Sequence, residues 1–384
     1  MLNRLSGWFQ GLTTPSYVIF FVTARCNARC KMCFYMERIE NPKANPELTI
    51  EEYEKISSNI KSINTLGISG GEPFLREDLK EIVKLLCKNC SPLVVDLPTN
   101  GFYTQRVLEQ VEDILKHCKD TVIDIQLSCD GPERVHDEIR GLKGCYSRMG
   151  ETYKGLVALK KRYKNLRVKG CVVYSHYNQD YMGELLDILK TDFSQLDRVV
   201  FSVVHGTANE EEAYSFSWDR YFALCDNIRK TVAVNSIRDF HSTFTTALRI
   251  AKNELLKEIL KTKDVYKLCG AGKNVVAISE IGEVFPCEPL WRPVGNLRDN
   301  DYNLQKILNS EEMKKFQEDI VKNKCTCHWG LVLSNALIYK PSYYPMILSE
   351  MLKITARSLA KGRIAEKQCK EADSRSKNTV LKGT

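Results

Sequence analysis

Short apolar runs alternate with amphipathic stretches between residues 17 and 204, and this alternation most constrains the fold. The apolar runs are rich in β-branched or aromatic residues and have the length of strands. The six predicted strands are Tyr17–Val22, Thr65–Ser69, Leu93–Leu97, Val122–Leu127, Arg167–Tyr174 and Val199–Val204. The predicted helices between them are Ile50–Ile60, Glu77–Cys87, Gln105–His117, Gly150–Tyr163 and Tyr181–Lys190. Six consecutive βα units predict a parallel sheet covered by helices, hence an α/β domain, although the period alone does not predict its curvature.

Three cysteines follow the first predicted strand with the spacing Cys26-x3-Cys30-x2-Cys33, and no other cysteine occurs before Cys87. Thiolates are the ligands of iron–sulfur clusters, and a cubane held only by protein takes four of them. Three ligands from one loop would leave one iron open to a substrate or cofactor. A structural zinc loop is the alternative, but zinc prefers four ligands and no nearby His or Cys completes the set. The spacing therefore indicates a cluster that carries out chemistry.

Composition is that of a soluble globular protein in a reducing compartment. Of the 384 residues, 43% are hydrophobic and 27% are charged. No apolar stretch approaches the ~20 residues that span a bilayer, and residues 1–14 lack a signal-peptide pattern. Fifteen cysteines in such a chain indicate metal-bound thiolates rather than disulfides, so we expect a cytoplasmic protein. The net charge of +8 comes largely from the C-terminal end, and we expect no nucleic-acid partner.

The sequence Gly70-Gly71-Glu72-Pro73 follows the second predicted strand, at the end where parallel α/β folds place active sites. Together with the cysteine spacing and with Met32 before the last cysteine, it resembles the radical S-adenosylmethionine (radical SAM) superfamily. The resemblance implies a partial (β/α)6 TIM-type barrel, a 4Fe–4S cluster on the three cysteines, and SAM on the fourth iron. It also implies that this Gly-Gly-Glu-Pro turn and Met32 belong to the SAM site. Two glycines let the chain approach a ligand closely, and a carboxylate accepts from an ammonium group.

Later strand ends carry further matches to the family. The segment 99–101 ends the third unit, the segment 128–131 resembles the strand end that contacts the SAM ribose, and the segment 136–141 resembles the one whose arginine meets the SAM carboxylate. Strand parity places the polar side chains of the fourth strand on one face, which should line the barrel interior, with Cys129 on the other face. The SAM contacts implied by these matches are Asn100, Ser128, Asp130 and Arg140.

A second cysteine group lies far downstream, at Cys269, Cys287, Cys325 and Cys327. With Gly282 between the first two cysteines, its opening resembles the SPASM and twitch domains, which hold auxiliary 4Fe–4S clusters. A predicted hairpin of 275–279 and 284–285 would bring the first two cysteines together. Four cysteines suffice for one further closed cubane, which implies the shorter twitch type. Because the last two cysteines are separated by a single residue, one of them could be free, or His328 could substitute for it.

Three residues near strand ends are catalytic candidates. His205 closes the sixth unit, and a histidine at a strand end is a plausible proton acceptor near neutral pH. A hydrogen-bonded structural histidine explains the same position equally well. Tyr174 closes the fifth unit, and Cys171 has the opposite parity, so that strand cannot readily aim both side chains inward.

The pattern divides the chain into five parts. They are an N-terminal segment 1–14, a core barrel 15–210, a helical linker 211–265, a SPASM/twitch-like auxiliary cluster domain 266–335, and a basic amphipathic helix with a polar tail 336–384. The clearest linker helices are Trp218–Lys230 and Phe244–Lys261. The C-terminal helix could rest on a membrane interface, and so could an N-terminal stripe of Leu2, Leu5, Trp8, Phe9 and Leu12. Amphipathic helices more often cover a protein core, so we expect a core-covering role.

By family resemblance, the reaction is reductive cleavage of SAM to methionine and a 5′-deoxyadenosyl radical, which abstracts hydrogen from the substrate. A closed, water-poor barrel protects such a radical. An auxiliary cluster could accept a second electron, giving a two-electron oxidation of a sugar-like small molecule or a peptide. The enzymatic alternative is epimerisation, with Cys171 or the spare cysteine of the 325/327 pair as hydrogen donor. An iron–sulfur redox or scaffold protein is the non-enzymatic alternative, and the expected redox partner is a reductant such as flavodoxin or ferredoxin.

Overall fold

The computed structural model describes residues 15–60, 62–231 and 240–356, without the side chains of 229–242. The predicted N-terminal stripe and the polar tail lie outside the described residues. Six strands pair in parallel and in sequence order. They are β1 (Tyr17–Phe21), β2 (Thr65–Ser69), β3 (Val94–Thr99), β4 (Val122–Ser128), β5 (Leu166–Tyr174) and β6 (Arg198–Val203). All six predicted strands are confirmed, with ends within two residues of the prediction.

Seven helices connect these strands. They are α1 (Met36–Glu40), α2 (Ile50–Ser58), α3 (Leu79–Cys90), α4 (Thr104–His117), α5 (Glu133–Arg140), α6 (Cys145–Arg162) and α7 (Met182–Thr191). Helix α2 begins at a capping box in which Thr49 accepts from the Glu52 backbone and Glu52 accepts in return. Helix α6 begins five residues before the predicted start, because the Asp137 carboxylate accepts from the backbone N–H groups of Gly144 and Tyr146.

The downstream part contains two linker helices, a small β-meander and a helical end. The helices are α8 (Trp218–Thr231), α9 (Phe240–Thr262), α10 (Leu304–Leu308), α11 (Glu311–Lys322), α12 (Gly330–Tyr339) and α13 (344–356, where the description ends). The strands are β7 (Val275–Ile278), β8 (Glu283–Phe285) and β9 (Gly295–Asn296). None of the described helices has the length and apolarity that a bilayer-spanning helix requires.

The β-meander continues the barrel sheet. Strand β7 pairs in parallel with β1, Val275 lying opposite Tyr17, and β8 and β9 follow in antiparallel order. The sheet order is therefore β6-β5-β4-β3-β2-β1-β7-β8-β9, and no closed barrel forms among the described strands. The sequence predicted the β7–β8 hairpin but not its pairing with β1. An α/β partial barrel is confirmed, while the five domain boundaries remain a prediction.

The interior face of the sheet is polar, as strand parity predicted. Lys169 on β5 forms ion pairs with Asp96 on β3, at 3.1 Å, and with the fully buried Asp124 on β4. Arg198 on β6 lies 3.2 Å from the same Asp124 carboxylate. Opposite charges compensate one another there, which is the condition for keeping charge inside a protein. This network lies below the carboxyl ends of the strands and leaves those ends free to form a site.

Candidate active site

A cavity of about 200 Å³ lies at the carboxyl ends of the parallel strands. Ser69, Thr99, Ser128, Val173 and Val204 line it, and each stands at or next to the end of a different strand. The predicted site residues that also line it are Cys26, Cys30, Cys33, Met32, Gly70, Gly71, Glu72, Pro73, Asn100, Arg140 and His205. Residues that are up to 179 positions apart in the sequence thus meet around one cavity.

The cysteine loop is held on one side by the Gly-Gly-Glu-Pro turn. The backbone N–H of Gly71 donates to Thr23 O at 2.8 Å, and that of Glu72 donates to Arg25 O at 2.9 Å. A Cβ on Gly71 would lie 2.2 Å from Arg25 O, so no side chain fits there. From the sequence, these glycines are expected to allow close approach of a ligand. The structure shows that close packing against the cysteine loop already requires them.

Backbone contacts also hold the other side of the cysteine loop. Arg29 N donates to Arg140 O at 2.9 Å, and Lys31 N donates to Ile139 O at 3.0 Å. Gly141 has a φ of +57°, and a Cβ at this position would lie 2.6 Å from Arg29 O. The loop is therefore fixed between the β2 turn and the end of α5 by the protein's own hydrogen bonds.

The three cysteines of the loop line the cavity in surroundings that disfavour a charged thiolate. Burial raises the pKa of Cys26 to about 11 and that of Cys33 to about 12. Burial also raises the pKa of Cys30, and Arg140, whose Nη1 lies 3.7 Å from Cys30 Sγ, opposes this shift. Iron would supply the positive charge that stabilises these thiolates. Three soft sulfur ligands beside a cavity fit a cubane cluster with one iron left open.

Glu72 ties the β2 turn to the end of β3. Its carboxylate accepts from Phe74 N at 3.3 Å, from Thr99 Oγ1 at 2.8 Å and from Asn100 N at 2.8 Å. Burial nevertheless raises its pKa to about 7. The Asn100 side chain in turn donates to Asn27 Oδ1, within the cysteine loop, at 2.9 Å. Glu72 therefore organises the cavity wall as well as lining it.

Asp130 lies behind Arg140. It is fully buried, and its Oδ2 accepts from Arg140 Nε at 2.7 Å and from the adjacent Nη2. Its Oδ1 accepts from Val173 N at 2.8 Å. Asp130 was predicted to contact the cofactor, but it does not line the cavity, because it lies beyond the last residue of β4 and its carboxylate is bound by Arg140 and by Val173 N. In this structure it holds Arg140, which does line the cavity, against the cysteine loop.

The three predicted catalytic residues have different surroundings. His205 lines the cavity, with Nε2 at 3.6 Å from Glu288 Oε2 and its ring centroid 5.1 Å from that of Phe34. The Tyr174 ring packs against aromatic rings outside the sheet, and Cys171 Sγ lies 3.4 Å from Gln126 Oε1 in the polar interior. Neither Tyr174 nor Cys171 lines the cavity. The residue of β5 that lines the cavity is Val173, which lies between Cys171 and Tyr174 in the sequence.

The four downstream cysteines come together although three separate segments carry them. Burial raises the pKa of Cys287, and Cys327, Cys269 and Cys325 raise it further by charge repulsion. Burial raises the pKa of Cys327 to about 12, and Cys269 and Cys325 again add to the shift. Four thiols within electrostatic reach of one another fit a fully ligated cubane. Within the described ranges, no three His, Cys, Asp or Glu side chains are grouped tightly enough to hold a single metal ion.

His328 contacts the barrel. Its Nε2 lies 2.7 Å from Val204 O, and its ring contacts Trp218 at a centroid distance of 5.5 Å. Val204 lines the cavity, so this contact joins the downstream cysteine segment to the cavity wall. The Nε2 atom is thereby engaged, which argues against His328 as a replacement ligand through that atom.

Several residues that the sequence did not single out lie between the two cysteine groups. Phe34 follows Cys33, and its ring lies 6.2 Å from the ring of Trp291. Trp291 stacks on Phe285 at 4.1 Å, and Glu288 contacts His205. Only one sequence feature could have indicated a role for Glu288, namely its position directly after Cys287. The downstream segment therefore forms part of the surroundings of the cavity.

Comparison with known proteins decides the family. The model of the Radical SAM superfamily matches residues 20–189, and the SPASM model, an iron–sulfur cluster-binding domain, matches residues 269–328. The chain is a radical SAM enzyme with a C-terminal SPASM domain. The enzyme therefore uses a 4Fe–4S cluster and SAM, and its SPASM domain implies auxiliary iron–sulfur clusters. The number of auxiliary clusters remains a prediction.

Two relatives match this radical SAM enzyme over most of its length. The antilisterial bacteriocin subtilosin biosynthesis protein AlbA of Bacillus subtilis is 26% identical over 81% of this chain and 65% of AlbA. The chain thus spans just under two thirds of AlbA. The AdoMet-dependent heme synthase of Methanosarcina barkeri is 26% identical over 81% of this chain and 87% of that protein.

Solved structures share the fold. SuiB from Streptococcus suis, bound to S-adenosylmethionine, superposes with a TM-score of 0.56 at 15% identity, over 82% of this chain and 71% of SuiB. Native anSMEcpe with bound AdoMet superposes with a TM-score of 0.57 at 17% identity, over 90% of this chain and 98% of that chain. The enzyme therefore has the architecture of these proteins.

Proposed function

We propose that this radical SAM enzyme removes a hydrogen atom from a peptide substrate and completes a two-electron oxidation with an auxiliary cluster. Cys26, Cys30 and Cys33 would hold the first cluster, and the downstream cysteines Cys269, Cys287, Cys325 and Cys327 the second. When bound, the first cluster and SAM supply a one-electron reductive cleavage that generates the hydrogen-abstracting species, and the second cluster can take up a further electron.

The remaining functions belong to the chain's own residues. Arg140, Asn100, Ser128 and the Gly-Gly-Glu-Pro turn would orient SAM in the cavity, and Asp130 would hold Arg140 in place. His205 is the proton-accepting side chain on the cavity wall, because oxidation of a carbon centre releases a proton with the second electron. Phe34, Val173 and Val204 present apolar surface to the cavity and exclude water.

The observation that supports an oxidation is the contact between the cavity wall and the segments that carry the downstream cysteines. His205 lines the cavity and faces Glu288, which follows Cys287, and His328, which follows Cys327, is hydrogen-bonded to Val204 of the cavity wall. An electron leaving a substrate in the cavity therefore has an acceptor site next to it. Epimerisation needs a hydrogen-donating thiol in the cavity besides the three cluster cysteines, and neither Cys171 nor Cys325 or Cys327 lines the cavity.

The peptide substrate rests on the relatives. AlbA is a bacteriocin biosynthesis protein, and SuiB has been solved bound to a precursor peptide, SuiA. A small-molecule substrate is the second candidate. One observation favours it: the match to the heme synthase spans 87% of that protein, whereas the match to AlbA spans 65%.

Deuterium transfer tests both parts of this proposal. Protein reconstituted anaerobically with iron and sulfide is incubated with SAM, dithionite and an extract of the source cells grown in deuterated medium. Mass spectrometry then measures deuterium in 5′-deoxyadenosine. Transfer that requires large extract components and is lost after protease digestion supports a peptide. Transfer that survives digestion and passes a small-pore filter supports the small molecule and contradicts the peptide. Absence of SAM cleavage with both clusters intact would contradict hydrogen abstraction itself.

A further inference from the structure

Helix α13 carries apolar side chains on two faces. Ile347 and Ile354 are each 3% exposed and belong to the core, as expected for a helix that covers a protein. Tyr344, Leu348 and Leu352 are 45%, 58% and 72% exposed. Because residues four apart lie above one another on a helix, these three form one stripe on the outer face. We call Tyr344, Leu348 and Leu352 the outer stripe.

The outer stripe is a local concentration of exposed apolar surface. The described part of the chain has six large hydrophobic side chains that are well exposed, and three of them lie within these nine residues. Single exposed apolar residues are normal on a soluble protein, but a contiguous group marks an interaction surface. The expectation that the apolar residues of this helix cover the core therefore holds for Ile347 and Ile354 but not for the outer stripe.

Most of the basic residues near the outer stripe follow it in the sequence. Residues 336–384 contain ten Lys or Arg and four Asp or Glu, which accounts for six of the chain's eight net positive charges. Lys353 lies on α13 itself, where Glu350 neutralises it at 2.7 Å, and the unbalanced basic residues Arg357, Lys361 and Arg363 follow in the sequence. Apolar side chains on a helix followed by clustered basic residues are the composition that binds an anionic lipid surface, at about 1 kcal/mol per basic residue near the surface.

The first described residues contact the chain just before α13. Tyr339, five residues before the outer stripe begins, donates its hydroxyl to Ser16 Oγ at 2.5 Å. Residues 1–14 precede this contact and contain the apolar stripe Leu2, Leu5, Trp8, Phe9 and Leu12 but no acidic residue. Ser16 and the start of α13 therefore lie at one corner of the molecule, and a second apolar sequence precedes that corner in the chain.

We propose that this corner docks on the surface of an anionic membrane. Tyr344, Leu348 and Leu352 enter the region between headgroups and acyl chains, and the net positive charge of the C-terminal sequence favours anionic lipids over neutral ones. The charge of the C-terminal part selects a lipid surface over a neutral apolar partner. Docking of this kind needs no spanning helix, and its affinity comes from buried apolar area plus salt-sensitive attraction. The proposal is independent of the substrate proposed above.

Vesicle sedimentation tests the proposal on the full-length, anaerobically reconstituted protein. We expect binding to vesicles of phosphatidylcholine mixed with phosphatidylglycerol, weaker binding as salt rises, and little binding to phosphatidylcholine alone. The double substitution Leu348→Gln and Leu352→Gln should weaken vesicle binding by roughly tenfold or more, because two buried leucines are lost from the lipid. The matched control is Val321→Gln on α11, which removes another exposed apolar residue, 57% exposed, and should leave binding unchanged.

Other results would overturn the proposal. Failure of the wild-type protein to bind anionic vesicles would do so, and gel filtration would then identify what covers the outer stripe. A dimer that the double substitution dissociates would identify a second copy of the chain as the occupant. A monomer in which deletion of residues 1–14 newly exposes the stripe to a hydrophobic dye would identify the N-terminal segment. Equal vesicle binding by the wild-type and doubly substituted proteins would also contradict a role for the stripe.

Discussion

The two cysteine groups of this enzyme are built in opposite ways. Cys26, Cys30 and Cys33 occupy one loop that backbone hydrogen bonds hold between the β2 turn and the end of α5. The four downstream cysteines come from three segments, and only the tertiary fold brings them together. The first group has three thiols beside a cavity, whereas the second has four. In this enzyme, one short loop supplies all the ligands of the cluster site with an open iron, whereas the fully ligated site needs three segments that are far apart in the sequence.

The largest expected effect comes from the first group. Cys30→Ala removes one of three ligands from a site that has no spare, so we expect 5′-deoxyadenosine formation to fall below detection and iron to fall from about eight to about four per chain. Liquid chromatography of SAM incubations and an iron assay measure both quantities. Cys87→Ser is the control, since Cys87 lies on α3 outside both groups. Normal SAM cleavage by the Cys30→Ala variant would show that the cysteine loop is not needed for this reaction.

Loss of a ligand from the downstream cysteine group should distinguish the functions of the two clusters. In Cys327→Ala we expect about four irons per chain and continued SAM cleavage, but loss of the oxidised product. His328→Ala should keep about eight irons, because the four downstream cysteines suffice for a closed cubane and the Nε2 atom of His328 is already hydrogen-bonded to Val204 O. The iron assay on the two variants checks this distinction. If His328→Ala lost iron and Cys327→Ala did not, the histidine would be the ligand.

Asp130→Asn should weaken the open site without touching a thiol. The substitution leaves the buried Arg140 cation without its charged partner, and breaking such a pair costs about 3–5 kcal/mol. We expect lower stability in urea unfolding and a weaker SAM affinity, because Arg140 is no longer held at the cavity wall. Glu133→Gln, an exposed change on the helix that carries Arg140, is the control and should behave as wild type. A SAM affinity unchanged in Asp130→Asn would show that Arg140 needs no such positioning.

The smallest effect concerns the pH dependence of the open site. Burial raises the pKa of Glu72 from the ordinary value of 4.5 to about 7. Between these values the folded protein binds a proton that the unfolded chain has released, so the free energy of unfolding falls as pH rises and levels off above about 7. The expected fall is roughly 1–3 kcal/mol in the SAM-free protein. Urea unfolding at pH 5 and pH 7.5 measures it, and Glu72→Gln should show a smaller fall. The same slope in both proteins would assign it to other groups.

The sequence predicted the parts of this molecule that local patterns encode. The strands follow from period and length, and helix α2 begins at Ile50, the residue at which its apolar period predicted a start. The β7–β1 pairing could not be predicted, because its partners are 258 residues apart in sequence. The start of α6 was missed because Asp137, on another helix, caps it.

The site shows the same division. Cys26, Glu72 and Arg140 were found from short motifs and do line one cavity. Whether a residue lines the cavity or stands behind it depends on packing that no motif encodes, and for this reason Asp130 and Tyr174 were expected at the cavity but lie away from it. The packing role of Gly71 was not predicted either, because the atom nearest to a Cβ there, Arg25 O, belongs to a loop 46 residues earlier.

The most direct test of the central claim is whether SAM reaches only the first cluster. Electron paramagnetic resonance is recorded on dithionite-reduced protein with Cys26, Cys30 and Cys33 all changed to Ala, before and after addition of SAM. The account predicts a reduced-cluster signal from the four downstream cysteines that SAM leaves unchanged, whereas SAM alters the signal of Cys327→Ala protein, which keeps only the first cluster. A SAM-induced change in the protein that lacks Cys26, Cys30 and Cys33 would contradict the account.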